Sequence, residues 1–323
     1  MTRRTGGAAR FSRWAAAWSG GGPPSLACPA GARFARLRLA ARPSGLRSLR
    51  GALSRALLLA CLAPMAAARA DDLGHAEAPA DGLDGRAIYE RVVANRFRSF
   101  SQDALLISAD RAGRTQQSRF ELLWKDFRDA AGQTARGVIS KTLVKYTYPF
   151  DLRHAGYLVQ ANEARGSDQF VYYPSRRRVV RVNLRGEAVY GTDFSFEDVV
   201  PREAGDFDYR RLRDSVVGGT PVRVVDLFPR QLADSEYSKI RVYVDRDRHV
   251  VVRARYWDAA GVEIKELRAP PSRIQEFDGV FVPMEATMRH LRLESQTTLV
   301  VNGLVPNPDL DAESFDLSRL ETH

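Results

Sequence analysis

The sequence alternates apolar and polar side chains with a period of two from about residue 104 to residue 301. In the clearest segment, Ile240, Val242 and Val244 share one face, and charged or polar residues occupy the positions between them. Such alternation predicts β-strands with one buried face. No helical stretch between these segments is long enough for the crossover that parallel strands require. We therefore expect a mainly β (α+β) protein with an antiparallel sheet, arranged as a sandwich, a barrel or one large curved sheet.

The predicted strands are short and are separated by turn residues. Hairpin turns are expected at residues 245–248 and 258–261. The thirteen predicted strands are 104–109, 117–128, 137–147, 156–163, 168–173, 178–183, 221–228, 238–245, 250–257, 262–269, 272–277, 280–290 and 294–301.

Three segments depart from this alternation. Apolar residues recur at helical spacing from Leu83 to Phe97, which predicts a helix with Asp81 or Asp84 as its N-cap. The acidic and aromatic segment 192–218 is predicted to be a loop with a short helical turn, and residues 308–320 are expected to end in one helical turn. No internal repeat or second boundary is visible, so residues 83–323 are expected to form one domain.

The positive charge of the chain is concentrated at its N-terminus. The whole sequence has 49 Lys and Arg against 39 Asp and Glu, a net charge of +10. Residues 1–70 contain twelve Arg and no Lys, Asp or Glu, so residues 71–323 have a net charge of −2. The basic excess therefore does not indicate a nucleic-acid partner for the domain.

The first 70 residues resemble a processing segment. Residues 1–50 are rich in Ala, Gly, Arg, Pro and Ser, which is typical of a disordered extension or of a gene start placed too far upstream, with a functional basic tail as the alternative. Arg55 precedes the uncharged run 56–68, and small residues surround Arg69. This order predicts a secretory signal peptide over 51–70 that is cleaved near Ala70, followed by a linker over 71–82. The run is too short to span a membrane.

Both cysteines, Cys28 and Cys61, lie in this leader. Cys61 follows a sequence that loosely resembles a lipoprotein signal, but the apolar segment before it is shorter than such signals require. We therefore favour cleavage near Ala70 over lipid attachment at Cys61. The exported domain would then contain no thiol and no disulfide.

No catalytic, cofactor-binding or metal-binding motif is present in the predicted domain. His residues are scattered singly, and no cysteine is available as a nucleophile or ligand. Asp193, Glu197 and Asp198 form a carboxylate cluster, which we expect to organise a loop through hydrogen bonds rather than to bind metal or act as acid and base. The basic run 176–178 either contacts an anionic head group or is a solvated turn.

Four segments occur in a fixed order: YTYPFDLRHAGYLV (146–159), SDQFVYYPSRRRVVRV (167–182), YGTDFSFEDV (190–199) and SEYSKIRVYVDRDRHVVVRARYWDAAGVEIK (235–265). Together they resemble the outer-membrane lipoprotein-sorting protein family, a branch of the LolA/LolB-like periplasmic carriers often linked to export pumps of the resistance-nodulation-division (RND) type. The likeness extends from about Leu83 to Leu320. The most specific piece comprises Gly191, Asp193, Glu197 and Asp198. One departure is Phe170, where the family often has Trp.

This resemblance implies an unclosed antiparallel β-barrel that covers a few short helices and encloses an apolar cavity. It implies a monomeric periplasmic carrier that binds an acylated lipoprotein or lipid, contacts membranes only peripherally and works with an inner-membrane exporter or an outer-membrane acceptor. The predicted cavity residues are Phe150, Phe170, Tyr172 and Phe194, and the predicted head-group contacts are Arg177 and Arg178. Ordinary core packing explains most aromatic residues of the strands equally well.

Two other classes of function are compatible with the sequence. A sensory module of the cell envelope would recognise lipids or lipoproteins through the same cavity without passing them on. An enzyme acting on envelope lipids ranks last, because no nucleophile and base can be paired.

Overall fold

The computed structural model describes residues 81–184, 186–230 and 235–321. The predictions for residues 1–80, which include the extension, the signal peptide, Cys61 and most of the linker, lie outside the described residues.

Strands dominate the described part of the chain, and helices are few. Helix α1 spans Gly85–Ala94, and the one-turn helix α2 spans Ser318–Glu321. In chain order the strands are β1 (Ser99–Ala109), β2 (Thr115–Asp126), β3 (Val138–Tyr148), β4 (Gly156–Asn162), β5 (Asp168–Tyr173), β6 (Arg178–Val182), β7 (Phe207–Arg211), β8 (Ser215–Val217), β9 (Thr220–Pro229), β10 (Lys239–Asp245), β11 (Val251–Trp257), β12 (Glu263–Arg268), β13 (Ile274–Phe277), β14 (Val280–Pro283), β15 (Glu285–His290) and β16 (Ser295–Pro306).

One antiparallel sheet contains fourteen of the described strands. Its order is β6-β5-β4-β3-β2-β1-β16-β15-β12-β11-β10-β9-β7, with β8 paired to β9. The two edge strands, β6 and β7, do not pair with each other within the described ranges, so the sheet is open. Strands β13 and β14 form a separate hairpin. The predicted large, unclosed antiparallel sheet with short helices is confirmed.

The first and last strands are neighbours at the middle of the sheet. Phe100 of β1 lies opposite Pro306 of β16, and Ala109 lies opposite Gln296. The other edge of β1 pairs with β2 along its whole length. This pairing joins the half of the sheet formed by β2–β6 to the half formed by β7–β12 and β15.

The sheet has an inner face, on which Val144, Tyr146, Ile240 and Val242 lie. Helix α1 covers one half of it, since Ile88 and Tyr89 are buried against Ile240, Val242 and their neighbours. Phe196, in the segment that joins β6 to β7, packs with Val144 and Tyr146 on the other half. We call residues 186–206 the insert.

Alternation places the neighbouring side chains on the outer face. Around Leu143 and Leu158 this face is apolar, and the chain end covers it with Phe315 and Leu320. On strands β9–β12 the outer face is apolar around Val224 and Tyr243, where Val217 and Ile274 pack against it, and charged around Asp226. Asp226, which is fully buried, accepts hydrogen bonds from Arg210 at 2.8 Å and from Arg241 at 2.6 Å.

The local predictions are confirmed at both ends of the domain. Asp84 caps α1, because its carboxylate accepts a hydrogen bond of 2.7 Å from the Ala87 amide. Asp81 instead accepts from the guanidinium group of Arg223 at 2.7 Å. The predicted C-terminal turn is α2.

The prediction for 192–218 was wrong in part, because β7 and β8 lie within that segment. Strand β7 pairs with β9, and its Phe207 packs on Tyr89 of α1 with ring centroids 5.7 Å apart. The predicted strand 280–290 is two strands. Met284 separates them: its amide donates to the Arg273 carbonyl at the base of the hairpin, and its carbonyl accepts from the Val301 amide of β16.

Gly156 provides a test of close packing in the sheet. A Cβ atom at this position would lie 2.5 Å from the Val144 carbonyl oxygen. We expect Gly156→Ala to lower the free energy of unfolding by about 1–3 kcal/mol, the usual cost of overpacking. Gly205→Ala is the matched control, since nothing lies within 4 Å of its added Cβ. Equal urea midpoints for the two variants would contradict this packing.

Asp226 provides a test of pH dependence. Burial alone would raise the pKa of Asp226, but hydrogen bonds from Arg241 and Arg210 outweigh burial and hold that pKa below its ordinary value of 3.8. The ionised carboxylate therefore stabilises the fold above that value, and the contribution is lost as the pH falls through the lowered pKa. We expect Asp226→Asn to be destabilising near neutral pH and the gap from wild type to shrink below pH 3.8.

Urea titrations at a series of pH values measure this gap. Asp208→Asn is the control, because Asp208 pairs with Arg230 on the surface with 69% of its side chain exposed. We expect that control to change the free energy of unfolding by less than about 0.5 kcal/mol at every pH. A gap for Asp226→Asn that does not change with pH would contradict the prediction.

Candidate ligand-binding site

Helix α1 and the hairpin of β13 and β14 form the walls of the first pocket. The Asn95 side chain, just after α1, joins them, because its amide donates to the Phe281 carbonyl and its oxygen accepts from the Phe281 amide, both at 2.9 Å. The pocket has a volume of about 360 Å³. Its apolar lining includes Val92, Phe97, Phe100, Val251, Phe281 and Leu304.

A second pocket of about 270 Å³ lies on the other side of α1, between the helix and the insert. Trp124, Leu122 and Val199 contribute to its lining. Trp124 is 4% exposed and stacks on Phe100 with ring centroids 5.7 Å apart. Its buried indole N–H has no hydrogen-bond acceptor among the described residues.

Three residues line both pockets, namely Val92, Arg96 and Phe100. Arg96 pairs with Glu203 of the insert at 2.9 Å and lies 3.8 Å from Asp126. Glu203 also pairs with Arg128 at 3.1 Å. These ion pairs fix the end of α1 to the insert at the boundary between the two pockets.

His249 contributes a titratable group to the first pocket. Burial lowers the pKa of His249 below its ordinary value of 6.5, and the charges of Arg91 and Arg223 lower it further. The imidazole is therefore largely neutral at pH 7, and it adds little charge to an apolar lining.

The carboxylates identified in the sequence hold the insert on the sheet. Asp193 accepts hydrogen bonds from the hydroxyl groups of Ser295 and Thr297, the latter at 2.7 Å. The Thr297 hydroxyl oxygen in turn accepts from the Asp193 amide at 3.0 Å. Gly191 stands just before this contact with a φ of +78°, a conformation that favours glycine.

Glu197 and Asp198 share Arg202, whose guanidinium lies 3.4 Å from Glu197 and 3.9 Å from Asp198, but their other partners differ. Glu197 accepts hydrogen bonds from the Ser235 hydroxyl and from the Glu236 amide, the latter at 2.8 Å. Asp198 accepts from the Tyr237 hydroxyl at 2.9 Å and from the Lys265 ammonium at 2.9 Å. Among the described residues, Asp193 and Glu197 share no hydrogen-bond partner. Within the described residues, no group of three or more His, Cys, Asp or Glu could hold a metal ion.

The structure does not bring the four predicted cavity residues together. Phe194 belongs to the insert and packs on the inner face, against the two halves of the core. Phe170 and Tyr172 belong to the outer-face cluster around Phe315. Phe150 lies in the turn after β3 and is 88% exposed. None of the four lines either pocket.

The two predicted head-group contacts lie elsewhere. Arg177 has a φ of +47° in the turn between β5 and β6, and Arg178 is exposed at the start of β6. Neither lines a pocket beside α1. Sequence analysis did not identify Val92 and Phe97 as pocket residues. Their helical spacing was visible, but that spacing does not distinguish a pocket wall from a packed core.

No helix in the described ranges is long and apolar enough to cross a membrane. A family model described as "Uncharacterized protein" matches residues 139–322. Curated protein sequences give no match to this chain.

Solved structures of low sequence identity share the fold. A domain described as an outer membrane lipoprotein-sorting protein from Vibrio parahaemolyticus has a TM-score of 0.67 at 18% identity, over 74% of this chain and 98% of that one. A DUF1329 family protein from Desulfovibrio piger has a TM-score of 0.66 at 22% identity, over 73% and 99%. A LolA superfamily protein from Nitrosomonas europaea has a TM-score of 0.57 at 18% identity, over 73% and 99%. The resemblance to the LolA-like fold that the sequence indicated is confirmed.

Substitutions in the buried ion pair of Asp198 and Lys265 test how the insert is attached to the sheet. Their side chains are 3% and 9% exposed. Asp198→Asn would leave the ammonium without its counter-charge, so we expect a loss of about 3–5 kcal/mol in the free energy of unfolding.

The double variant Asp198→Asn/Lys265→Met removes the stranded charge, and we expect it to be more stable than Asp198→Asn alone. Asp110→Asn is the control, because Asp110 pairs with Arg114 on the surface. Urea unfolding measures these three variants and Lys265→Met alone, which completes the double-mutant cycle. A double variant that loses the sum of the two single changes would contradict direct coupling of these residues.

Proposed function

The chain belongs to the family of uncharacterized proteins whose model matches residues 139–322, and we propose that it is a periplasmic carrier of lipid or lipoprotein acyl chains. The cargo would bind in the two pockets beside α1, accompany the protein between the inner and outer membranes and then be released. The protein would act as a monomer and contact membranes only peripherally.

The observation that carries this proposal is the pair of adjoining apolar pockets on the inner face. Their volumes of about 360 and 270 Å³ suit an elongated apolar ligand that passes α1. Each methylene group removed from water gains about 0.8 kcal/mol, so a pocket that shields part of an acyl chain offsets much of the cost of leaving a membrane.

Carriage requires reversible binding and no covalent step. Two polar side chains at the pockets are committed to other protein groups: Arg96 to Glu203, and Asn95 to Phe281. These contacts support a role in binding rather than in reaction chemistry. Release needs only a second state with lower affinity for the ligand.

The exporter is the part of the proposal that rests on the family resemblance alone. We propose that an inner-membrane exporter of the RND type delivers the cargo and that an outer-membrane acceptor receives it. Export would use the signal peptide predicted over 51–70. The family members with a similar sequence pattern motivate this order of transfer.

Val92 is the residue on which to test the pocket, since it lines both cavities. We expect Val92→Glu to weaken binding of a fluorescent fatty acid at least about tenfold, because a carboxylate between the pockets must lose water when an acyl chain enters. Val216→Glu is the matched control, because Val216 is 64% exposed on β8. Fluorescence titration measures both, and circular dichroism verifies that each variant is folded.

Two further measurements test the proposal. Mass spectrometry of the purified protein should find co-extracted lipid in wild type and less of it in Val92→Glu. A protein without lipid that also fails to bind the fatty acid would overturn the pocket assignment. Binding without transfer of the fatty acid between donor and acceptor vesicles would favour a sensory module over a carrier.

A further inference from the structure

Arg202 of the insert has a guanidinium group whose hydrogen-bonding capacity is largely unused. A guanidinium group carries five N–H donors. Among the described residues, its one hydrogen bond reaches Glu197 at 3.4 Å, which is long for a bond between charged groups. The side chain lines the second pocket, so a ligand that enters there meets a cation with unused donors.

Closer donors already occupy the two carboxylates beside Arg202. The Lys265 ammonium donates to Asp198 at 2.9 Å. The Glu236 amide donates to Glu197 at 2.8 Å. Arg202 lies 3.4 Å from Glu197 and 3.9 Å from Asp198, so these carboxylates leave most of its donors unused.

Two aromatic rings position this guanidinium group. It lies 5.7 Å from the ring centroid of Phe207 and 5.8 Å from that of Tyr237. The face of an aromatic ring attracts a cation without acting as a conventional hydrogen-bond acceptor. The rings therefore hold Arg202 at the pocket and leave N–H groups available to an oxygen atom of a ligand.

Trp124 of the same pocket also has an N–H group without an acceptor, but that group is enclosed. Among the described residues, the buried side-chain nitrogens that lack a partner belong to Trp124 and Arg211. The unpaired nitrogens of Arg202 are not enclosed in this way, and 18% of its side chain is exposed. Of these two pocket residues, Arg202 is the one that an entering ligand can reach.

The charges around Arg202 favour a neutral acceptor over an anion. The carboxylates of Glu197 and Asp198 offset the charges of Arg202 and Lys265. Asp206 adds a further carboxyl group: burial raises the pKa of Asp206 above its ordinary value of 3.8, and the charge of Arg202 offsets part of that rise. A free carboxylate would bring another negative charge to this group, whereas a carbonyl oxygen accepts from a cation without adding charge.

The other ionised groups beside the second pocket also cancel. Arg96 is the second cation of its lining, and it pairs with Glu203 at 2.9 Å and lies 3.8 Å from Asp126. Arg128 pairs with the same two carboxylates, at 3.1 and 2.7 Å. Two cations therefore face two carboxylates, and this group exerts no net attraction on an anion.

We propose that Arg202 binds the neutral carbonyl oxygen of an acyl ester or an acyl amide. This inference rests on the proposed function and specifies its cargo. The linkage lies in the second pocket, and the hydrocarbon chain passes Val92 and Phe100 into the first pocket, which Arg202 does not line. The cargo is therefore an acyl chain still joined to its head group, rather than a free fatty acid.

Four probes of similar length test this assignment: dodecane, methyl decanoate, N-methyldecanamide and decanoate. Each displaces a fluorescent fatty acid from purified protein produced from the full-length chain. We expect Arg202→Met to weaken binding of the ester and the amide at least about tenfold, since each loses a hydrogen bond to a cation. Comparing each probe between wild type and variant cancels the different hydration of the probes.

The other two probes should respond differently. Dodecane makes no hydrogen bond, so it should bind Arg202→Met at least as well as it binds wild type. Decanoate should change less than about threefold, because the balanced charges give its carboxylate no gain at Arg202. The larger of the losses for ester and amide identifies the linkage: an ester indicates a glycerolipid, and an amide indicates an N-acylated polypeptide.

Arg241→Met is the matched control. The Arg241 side chain is 16% exposed, pairs with Asp226 and lies 5.6 Å from the ring centroid of Trp257. It therefore resembles Arg202 in burial, ion pairing and ring contact, but it belongs to the outer face and lines neither pocket. All four probes should bind this control as they bind wild type, and circular dichroism verifies that both variants are folded.

A measurement on wild type alone does not depend on how Arg202→Met folds. Bound methyl decanoate with an isotope-labelled carbonyl should absorb in the infrared at a lower frequency than it does in dodecane, because a hydrogen bond weakens the carbonyl bond. An unshifted band would overturn the proposal. Equal losses for ester and dodecane, or a larger loss for decanoate than for the ester, would overturn it and leave the carrier proposal intact. A wild type that binds none of the probes would overturn both.

Discussion

The inner face of the sheet is a broad apolar surface that its own strands cannot cover. The energetic need to remove this surface from water governs the rest of the structure. Helix α1 covers it on the side of Ile240 and Val242, and Phe196 of the insert covers it on the side of Val144 and Tyr146. A closed barrel would fill this space with its own side chains, whereas an open sheet depends on separate covering elements.

The pockets follow from the shape of these covering elements. A cylinder laid across a curved sheet cannot contact it equally along both sides. The space left on either side of α1 is lined by apolar side chains, since it belongs to the same surface that the helix covers. A polar frame around Asp193, Asp198 and Lys265 fixes the insert from the other side. Attachment of the insert and incomplete filling together leave two apolar cavities beside α1.

The positions of most strands along the chain were visible in the sequence, because each of these strands has its own alternation. Local sequence patterns also predicted the buried face of each strand, the N-cap at Asp84 and the final helical turn. Strand β7 was not predicted, since its Phe207 packs on Tyr89, and these two residues are far apart in sequence. The residues of the candidate site were harder to predict than the strands. Phe170 and Tyr172 alternate as the inner-face residues do, but nothing local shows that the C-terminal tail covers their side of the sheet.

The pairing of β1 with β16 has a consequence for how the chain folds. Residues near positions 100 and 306 must meet before the two halves of the sheet share a continuous ladder. Contacts of such long sequence separation slow folding, because chain entropy must be lost before the contact forms. During synthesis, β1 is made early and waits for its partner until nearly the whole domain has been translated. The nascent chain therefore stays without its central ladder for most of that time.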